Sequence, residues 1–262
     1  MRHSGQDQAA RLPQAAAELL AVLRTRGPRV HCITNSVAQA YTANMLLAAG
    51  AVPSMTLSAE EIGAFVARAD ALLVNIGTFD PERRAATGIA IAAATEHARP
   101  WVLDPVFIDR SAPRADFARD LIARSAPRVV RLNHAEFAAL SGGEAAAEAA
   151  MAYARATGVV VALSGAADLV TDGTRLLTIH NGHPLMAKVT AMGCAGSALT
   201  AACLAREPDA LVAAAAALVM LGVAGEIAAE TSAGPGSFST AIIDALFSLD
   251  APTLIARSRI SA

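Results

Sequence analysis

The stretch Ala71-Leu-Leu-Val-Asn-Ile76 decides the fold class of this chain. It is a short apolar run, followed by an alanine-rich stretch, Glu82–His97, and by a second short apolar run, Trp101–Leu103. Continuous apolar runs are typical of strands that are buried on both faces of a parallel sheet. An alanine-rich segment between two such runs favours a helical crossover that packs closely against the sheet. The stretch therefore predicts a β-α-β unit.

The same alternation runs through most of the chain. Short apolar strands are predicted at Arg29–Thr34, Ala71–Ile76, Trp101–Leu103, Val129–Leu132 and Val159–Leu163. Alanine-rich helices are predicted at Ala38–Ala49, Glu82–His97, Ala135–Leu140, Ala145–Thr157, Ser197–Leu204, Ala210–Glu230 and Thr240–Leu249. We expect a single α/β domain over residues 1–262, with a mostly parallel central sheet flanked by helices on both faces.

The segment Asp168–Lys188 departs from this alternation. Two strand-like runs, Leu169–Thr171 and Thr174–His180, flank the dipeptide Asp172-Gly173. An Asp-Gly pair between such runs is typical of a two-residue hairpin turn. We therefore expect a late antiparallel hairpin at one edge of the sheet.

The composition excludes several classes of protein. Of the 262 residues, 54% are hydrophobic and only 17% are charged, which is the reverse of a disordered chain. The net charge of −2 gives no basic field for nucleic acid or anionic lipid, so we expect neither as a partner. The charged fraction is below that of an average soluble domain, which indicates that part of the surface is covered.

The mean hydropathy of +0.43 raises the question of a membrane segment. The longest uncharged run, Ala210–Gly225, is shorter than a membrane span needs, so we interpret it as a buried core helix. The N-terminal residues lack the pattern of a signal peptide. The three cysteines are odd in number and have no metal-binding spacing, so we expect a reduced, cytoplasmic protein.

Polar residues follow the predicted strands at the carboxyl ends, where open parallel sheets bind their ligands. These residues are Thr34, Asn35, Ser36, Asn75, Gly77, Thr78, Asp104, Asn133, His134, Glu136, Ser164 and Gly165. Their positions favour an enzyme. The sequence contains neither a P-loop nor a dinucleotide-binding G-x-G-x-x-G after a strand, so neither of those nucleotide sites is expected.

The segment Val189–Ser197 is a turn that leads into a helix of small residues. The free N–H groups and the dipole at such a helix start favour an anion, and a phosphate would fit. Cys194 would lie in the first turn, where the pKa of a thiol tends to fall. The alternative interpretation is an ordinary helix N-terminus with a small buried cysteine.

Asp104 and Glu136 follow different strands and form a candidate Mg²⁺ site, since this ion takes few protein ligands and keeps several waters. Two simpler interpretations remain open. Asp104 precedes Pro105 and fits a turn, while Glu136 stands three residues after Asn133 and fits a helix capping box. Met55 could line an apolar ligand pocket, although a methionine is more often core filler.

Several motifs in this order resemble the hydroxyethylthiazole kinase family of the ribokinase-like superfamily. They are His31-Cys32-Ile33-Thr34-Asn35, Thr42-Ala43-Asn44, Gly50-Ala51-Val52-Pro53-Ser54-Met55, Asn75-Ile76-Gly77-Thr78, Leu103-Asp104-Pro105-Val106, Asn133-His134-Ala135-Glu136, Gly193-Cys194 and Gly234-Pro235-Gly236-Ser237-Phe238. The resemblance covers most of the chain. It implies a ribokinase-like three-layer fold, transfer of phosphate from ATP to the hydroxyl of hydroxyethylthiazole, Mg²⁺, and a homotrimer with active sites at the subunit interfaces.

The resemblance also implies roles for individual residues. Met55 and Gly193 match substrate-contacting positions, Arg131 and Ser164 match ATP-binding positions, and Asp104 with Glu136 matches the acidic pair around Mg²⁺. We add Asn35 as a substrate-binding candidate and Asn133 as an ATP-binding candidate. Cys194 and Gly193 are the catalytic candidates, with Cys194 standing where superfamily relatives usually carry an aspartate base.

Two positions depart from the family pattern. Leu132 replaces a glycine that often precedes the asparagine, and Ala191-Met192 replaces Gly-Thr in the anion-binding turn. The loss of the first glycine restricts that turn, because an alanine is strained at positive φ.

Three alternatives stay open at this point, and a cysteine hydrolase is disfavoured. Two have the same fold, a hydroxymethylpyrimidine kinase, which Cys194 disfavours, and an ATP- or ADP-dependent NAD(P)H-hydrate dehydratase. A thiamine-precursor binding protein would not need the carboxylates. A cysteine hydrolase built on Cys194 would need a partner histidine, which no position suggests.

Overall fold

The structure is a computed structural model that describes residues 2–262. Over these residues, nine strands form one sheet in the order β2-β1-β3-β4-β5-β6-β7-β8-β9. The strands are β1 Arg29–Ile33, β2 Val52–Ser54, β3 Ala71–Asn75, β4 Trp101–Asp104, β5 Val129–Asn133, β6 Val160–Ser164, β7 Asp168–Thr171, β8 Leu176–Ile179 and β9 Ile260–Ser261. Strands β1 to β6 pair in parallel, and β6 to β9 pair antiparallel.

Eleven α-helices occur in the described part of the chain. They are α1 Arg2–Arg26, α2 Gln39–Ala48, α3 Ile62–Arg68, α4 Pro81–Glu96, α5 Ala112–Ser125, α6 His134–Ser141, α7 Ala147–Thr157, α8 Met192–Leu204, α9 Ala210–Thr231, α10 Pro235–Ser248 and α11 Ala251–Arg257. Short 3₁₀ turns lie at Ile108–Arg110 and Pro184–Lys188.

The helices form two layers with a separate core on each face of the sheet. Leu73 of β3 faces the core that contains α1, α2, α8, α9 and α10, whereas its neighbours Leu72 and Val74 face the core that contains α3 to α7. This alternation follows from the two-residue period of a strand. The predicted three-layer α/β fold with a mostly parallel sheet is confirmed; that the whole chain forms a single domain stays a prediction.

The antiparallel edge is confirmed, but the predicted two-residue turn is wrong. Thr171 pairs with Leu176, so four residues, 172–175, connect β7 to β8. The carboxylate of Asp172 accepts hydrogen bonds from the backbone N–H groups of Thr174 and Arg175, at 2.8 and 2.7 Å. This side chain closes the wider loop, which an Asp-Gly pair alone does not reveal.

Several elements were not predicted, and α8 begins earlier than expected, at Met192 rather than Ser197. The missed elements are α1, α3, α5, α11, β2 and β9. α1 and α5 carry many polar residues, and only one face of each helix is buried. In α1 this buried face includes Leu12, Leu20 and Leu23. The others have seven residues or fewer, which is too short for a periodic signal.

Helix α9 is long and apolar enough to cross a membrane by length and composition, but 83% of its most apolar window is buried within the protein. It packs between α8 and α10 over the sheet. Asp209 caps its first turn by accepting hydrogen bonds from the N–H groups of Leu211 and Val212. The interpretation of this run as a buried core helix is therefore confirmed.

Candidate active site

The carboxyl ends of the central strands bring together most of the predicted polar residues. Asn75 at the end of β3 pairs in register with Asp104 at the end of β4, and Asn133 pairs with Ser164. β1 lies beside β3, so Asn35 follows β1 next to Asn75. The sheet register thus assembles these side chains, although they come from distant parts of the chain.

A chain of side-chain hydrogen bonds connects the Asp104 carboxylate to the Cys194 thiol. The Asn75 amide donates to Asp104 Oδ2 at 2.7 Å, and the Asn35 amide donates to Asn75 Oδ1 at 3.4 Å and to Cys194 Sγ at 3.2 Å. The sequence predicts Asn75 at the end of a strand but indicates no role for it. Its place between Asp104 and Asn35 makes it the centre of this network.

Two buried acceptors in this network are unsatisfied. Asn35 Oδ1 and Thr34 Oγ1 are buried and have no hydrogen-bond partner among residues 2–262. A buried polar group without a partner is unfavourable. A ligand that carries a hydroxyl group would relieve this cost at Asn35 Oδ1, beside Cys194.

The thiol of Cys194 lies in the first turn of α8, as predicted, but its pKa does not fall. Burial, followed by the negative charge of Asp104, raises that pKa to about 11, against the opposing effects of Asn35, Asn75 and Arg131. The helix N-terminus is therefore outweighed by burial and a nearby carboxylate. Cys194 is a neutral thiol near pH 7, so the expectation of a lowered pKa is wrong.

The anion-binding turn keeps its shape despite the loss of glycine. Ala191 precedes α8 with φ of 70°, in the left-handed region, and its carbonyl accepts the N–H of Ala195. The N–H groups of Gly193 and Cys194 lie within the first turn, where a helix has no internal acceptors. The predicted helix start for an anion is therefore present.

We expect Ala191→Gly to stabilise the protein by about 0.5–1 kcal/mol, because a Cβ in the left-handed region costs about 1–2 kcal/mol and glycine loses about 0.5–1 kcal/mol in backbone entropy. Chemical denaturation would measure this change. The matched control is Ala195→Gly within α8, which should destabilise by about 1 kcal/mol. A destabilised Ala191→Gly protein would contradict the assignment of strain to this turn.

Arg131 fastens the first turn of α8 to the sheet. Its Nη1 donates to the Gly193 carbonyl at 2.9 Å, and the side chain is only 8% exposed. A Cβ at position 196 would lie 3.0 Å from Arg131 Nη2, so Gly196 provides the space for the guanidinium. Arg131 Nε is buried without a partner among the described residues. A fixed positive charge thus stands beside the free N–H groups of the turn.

Glu136 has a structural role that the capping-box interpretation predicted. Its Oε2 accepts the N–H of Asn133 and its Oε1 accepts the N–H of Phe107, both at 2.9 Å, while Asn133 Oδ1 accepts the N–H of Glu136 at 3.0 Å. Asn133 is thus the N-cap of α6, and its side-chain oxygen is already used. The interpretation of Asn133 and Glu136 as a capping box is therefore confirmed.

The residues nevertheless fit a magnesium ion. Burial raises the pKa of both Asp104 and Glu136, and the charge of Asp104 raises the pKa of Glu136 further. Two buried carboxylates that repel each other are stabilised by a cation between them. Each carboxylate oxygen that accepts one hydrogen bond keeps a second lone pair. Mg²⁺ with its remaining waters would satisfy these lone pairs.

A cavity of about 580 Å³ opens beside Arg131 and the start of α8. Ser164 and Asp168 line it from the β6–β7 turn, and His183 and Gly193 line it from the other side. Burial raises the pKa of Asp168, whose Oδ1 accepts the N–H of Gly165 at 2.9 Å. The sequence interpretation missed Asp168, although its place just after Ser164-Gly165 was a usable signal. Asn133 is not among the lining residues.

Met55 lies at the same edge of the sheet but away from this cavity. It directly follows β2, is half-buried, and packs against the core around α2 and α8. His31 holds the end of β2 through Ser54 Oγ at 2.8 Å and the Thr56 carbonyl at 3.1 Å. Burial lowers the pKa of His31 to about 4, so it is a neutral core histidine. Met55 and Asn35 thus follow the adjacent parallel strands β2 and β1 at the same edge of the sheet.

Comparisons with known proteins identify the family of the chain. The model of the hydroxyethylthiazole kinase family matches residues 20–252. The chain belongs to this family. It is 46% identical to the hydroxyethylthiazole kinase of Granulibacter bethesdensis, over 94% of each chain. It is 43% identical to the hydroxyethylthiazole kinase of Zea mays, over 94% of this chain and 92% of that one.

Solved structures show the same fold for the family. The hydroxyethylthiazole kinase protein from Pyrococcus horikoshii superimposes with a TM-score of 0.90 at 37% identity, over 95% of this chain and 98% of that one. A ribokinase-like superfamily protein from Enterococcus faecalis superimposes with a TM-score of 0.68 at 15% identity, over 85% of this chain and 88% of that one. The second likeness shows the ribokinase-like fold alone.

Proposed function

We propose that the protein phosphorylates the hydroxyl group of 5-(2-hydroxyethyl)-4-methylthiazole with ATP, in thiamine salvage. Family membership with relatives of the same activity carries this proposal. The site supports it, because Arg131 and the start of α8 provide positive potential beside a large cavity, and the buried Asn35 Oδ1 has no donor among the described residues. The same-fold hydroxymethylpyrimidine kinase and hydrate dehydratase are not favoured by the comparisons.

The proposed geometry places ATP in the cavity of about 580 Å³, with Arg131 and Ser164 as its contacts. The thiazole lies on the other side of the α8 start, near Met55 and Asn35. The N–H groups of Gly193 and Cys194, with Arg131, face the phosphoryl group and stabilise its developing charge. Mg²⁺, held by Asp104 and Glu136 directly or through water, would neutralise charge on the phosphate oxygens.

Cys194 holds the substrate hydroxyl rather than acting as a strong base. With a pKa of about 11, its thiol is protonated near neutral pH. Phosphoryl transfer through a loose transition state depends on positioning and charge neutralisation more than on proton abstraction. The unsatisfied Asn35 Oδ1 accepts a hydrogen bond from the substrate hydroxyl and orients the hydroxyl oxygen toward the phosphate.

We expect Cys194→Ala to lower kcat by less than about 100-fold, the low end of general-base effects. Steady-state kinetics with hydroxyethylthiazole would measure this loss, with Cys203→Ala in the same helix as the matched control. A far larger loss with substrate binding intact would mean that the thiolate is essential.

The test of the activity is a coupled assay of ADP release with hydroxyethylthiazole and hydroxymethylpyrimidine side by side. Turnover with the thiazole is expected. ADP release with the pyrimidine only would overturn the proposal. A separate absorbance assay tests the hydrate dehydratase. That enzyme would eliminate water from the hydrate of NADH, and the NADH formed would be detected by its absorbance.

We also propose a homotrimer with active sites at the subunit interfaces, and a cytoplasmic location. Large apolar side chains are exposed around the edge strand β2, with Val37 at 75%, Leu47 at 56%, Val52 at 51% and Phe65 at 42%. A cluster of this kind marks an interaction surface. Cys32, Cys194 and Cys203 are free and buried, which supports a reducing compartment.

Light scattering is expected to give three times the chain mass of 26.7 kDa. Val52→Asp on the edge strand should shift the protein toward monomer and weaken thiazole turnover, because a charge is excluded from an apolar interface. Val22→Asp, at an exposed position on α1, is the control. A wild-type protein that is a stable, active monomer would contradict the trimer.

A further inference from the structure

A second cavity, of about 520 Å³, opens at the amino ends of β4 and β5. Asp104 and Asn133 lie at the opposite ends of the same two strands. From Trp101 to Asp104 the strand advances three residues at about 3.3 Å each, which places the cavity roughly 10 Å or more from the candidate active site. It is therefore separate from the catalytic cavity.

Three arginines line this second cavity: Arg99, Arg128 and Arg206. Glu207 is the acidic residue in the wall, and its Oε1 is already held by the N–H of Asp209 at 2.8 Å. Just behind the wall, the Asp70 carboxylate lies 3.5 Å from Arg206 Nη2. The cavity wall thus carries more positive than negative side chains.

The arginines use only part of their donors on the protein. Arg99 Nη2 donates to the Ala67 carbonyl and Arg128 Nη2 donates to the Pro208 carbonyl, each at 3.0 Å. Helices α4, α5 and α8 end near the cavity, and their last carbonyls carry partial negative charge that attracts cations. Each guanidinium has five N–H donors, so contacts of this kind leave most of them free.

Two of these donors are buried and unsatisfied. Arg99 Nε and Arg206 Nε have no hydrogen-bond partner among residues 2–262. Both side chains line the one cavity, although they come from the segments after α4 and after α8. Unpaired buried donors are unfavourable, and both belong to guanidinium groups whose side chains line the same cavity.

We propose that this cavity binds a small organic phosphate, with Arg99 and Arg206 as its main donors and Arg128 at the rim. Planar guanidinium groups match the paired oxygens of a phosphate group. The volume exceeds that of the phosphate alone, and Pro100, Leu204 and Ala205 offer apolar surface for the organic part. This site does not depend on the proposed kinase activity.

The chain carries its own reporter of occupancy. Trp101 is the only tryptophan in the sequence and lines this cavity, with its indole N–H donating to the Ser125 carbonyl at 3.3 Å. Titration of the full chain with glycerol 3-phosphate should change the Trp101 emission and release or absorb heat, both saturably. Glycerol should have no effect, and inorganic phosphate should bind more weakly than the ester.

Variants decide where the phosphate binds. Arg206→Gln and Arg99→Gln should each weaken binding by about tenfold or more, the loss of one charge-assisted hydrogen bond. Arg257→Gln, at a surface pair with Glu230 far from the cavity, should bind normally. Thermal unfolding confirms that each variant is folded. If Arg206→Gln is not folded, Arg206→Lys replaces it; this variant keeps the charge but loses the planar pair of donors, so it should still weaken binding.

Two results would overturn the proposal. The first is a wild-type protein that gives neither an emission change nor heat at tens of millimolar ester. The second is binding that survives Arg206→Gln and Arg99→Gln but is lost in Arg131→Gln, which would place the phosphate at the start of α8 instead.

Discussion

Replacement of both Asp104 and Glu136 by alanine is expected to lower kcat by about 10³-fold or more, the scale found when charge stabilisation of a transition state is removed. Asp104 is 4% exposed and its charge reaches both Glu136 and the Cys194 thiol. The double variant removes both carboxylates that we assign to Mg²⁺. Steady-state turnover at saturating magnesium and ATP measures the loss.

The structure also supplies the controls for this experiment. Glu136→Ala breaks the capping box of α6 and costs about 1 kcal/mol of stability, so thermal unfolding must accompany the kinetics. Asp104→Asn is the cleaner single change, because its side-chain oxygen can still accept from Asn75. Asp116→Ala, an exposed carboxylate on α5, should leave kcat unchanged. A double variant with near-normal kcat would mean that the metal assignment is wrong.

Replacement of Arg131 by methionine is expected to lower kcat/KM for ATP by about 10²–10³-fold. Methionine keeps the unbranched apolar stem of the buried side chain but lacks its charge and the hydrogen bond that Nη1 donates to the Gly193 carbonyl. Arg131→Lys keeps the charge but lacks the planar guanidinium group, so its kcat/KM should lie between the values for the wild-type protein and for Arg131→Met. Unchanged kcat/KM for ATP in Arg131→Met would mean that the assignment of Arg131 to the ATP site is wrong.

The same variant has a consequence for pH dependence. The positive charge of Arg131 opposes the rise that burial causes in the pKa of Asp104. Without it that pKa rises further, so a smaller fraction of Asp104 is ionised at a given pH. The acid limb of the kcat/KM profile should therefore move to higher pH in Arg131→Met.

The sequence allowed prediction of the central strands and of the edge at which the site lies. Apolar runs such as Ala71–Ile76 are local signals, and the rule that ligands bind at carboxyl ends placed Asn35, Asp104 and Ser164 there. The capping role of Glu136 was also predictable, because Asn133 stands three residues before it.

Other features depend on neighbours that are remote in sequence. The raised pKa of Cys194 comes from burial and from Asp104, which lies on another strand. The part played by Asn75 depends on the register between β3 and β4, which no local pattern fixes. The contact of Arg131 with Gly193 needs the Arg131 side chain to reach from β5 to the start of α8, and it requires a glycine at position 196. Such facts follow only from the assembled fold.

The strand order described above has a consequence for the protein during its synthesis. β3 is added beside β1, on the side away from β2, and from β4 onward each new strand is added beside the one made just before it. The sheet can therefore grow from one side as the chain leaves the ribosome, and no strand has to insert between two that are already paired. β9, at residues 260–261, joins β8 only after the helices α8 to α11 have been made, so it is the last of the nine strands to enter the sheet. Closure of the antiparallel edge is thus expected to follow the pairing of the other eight strands.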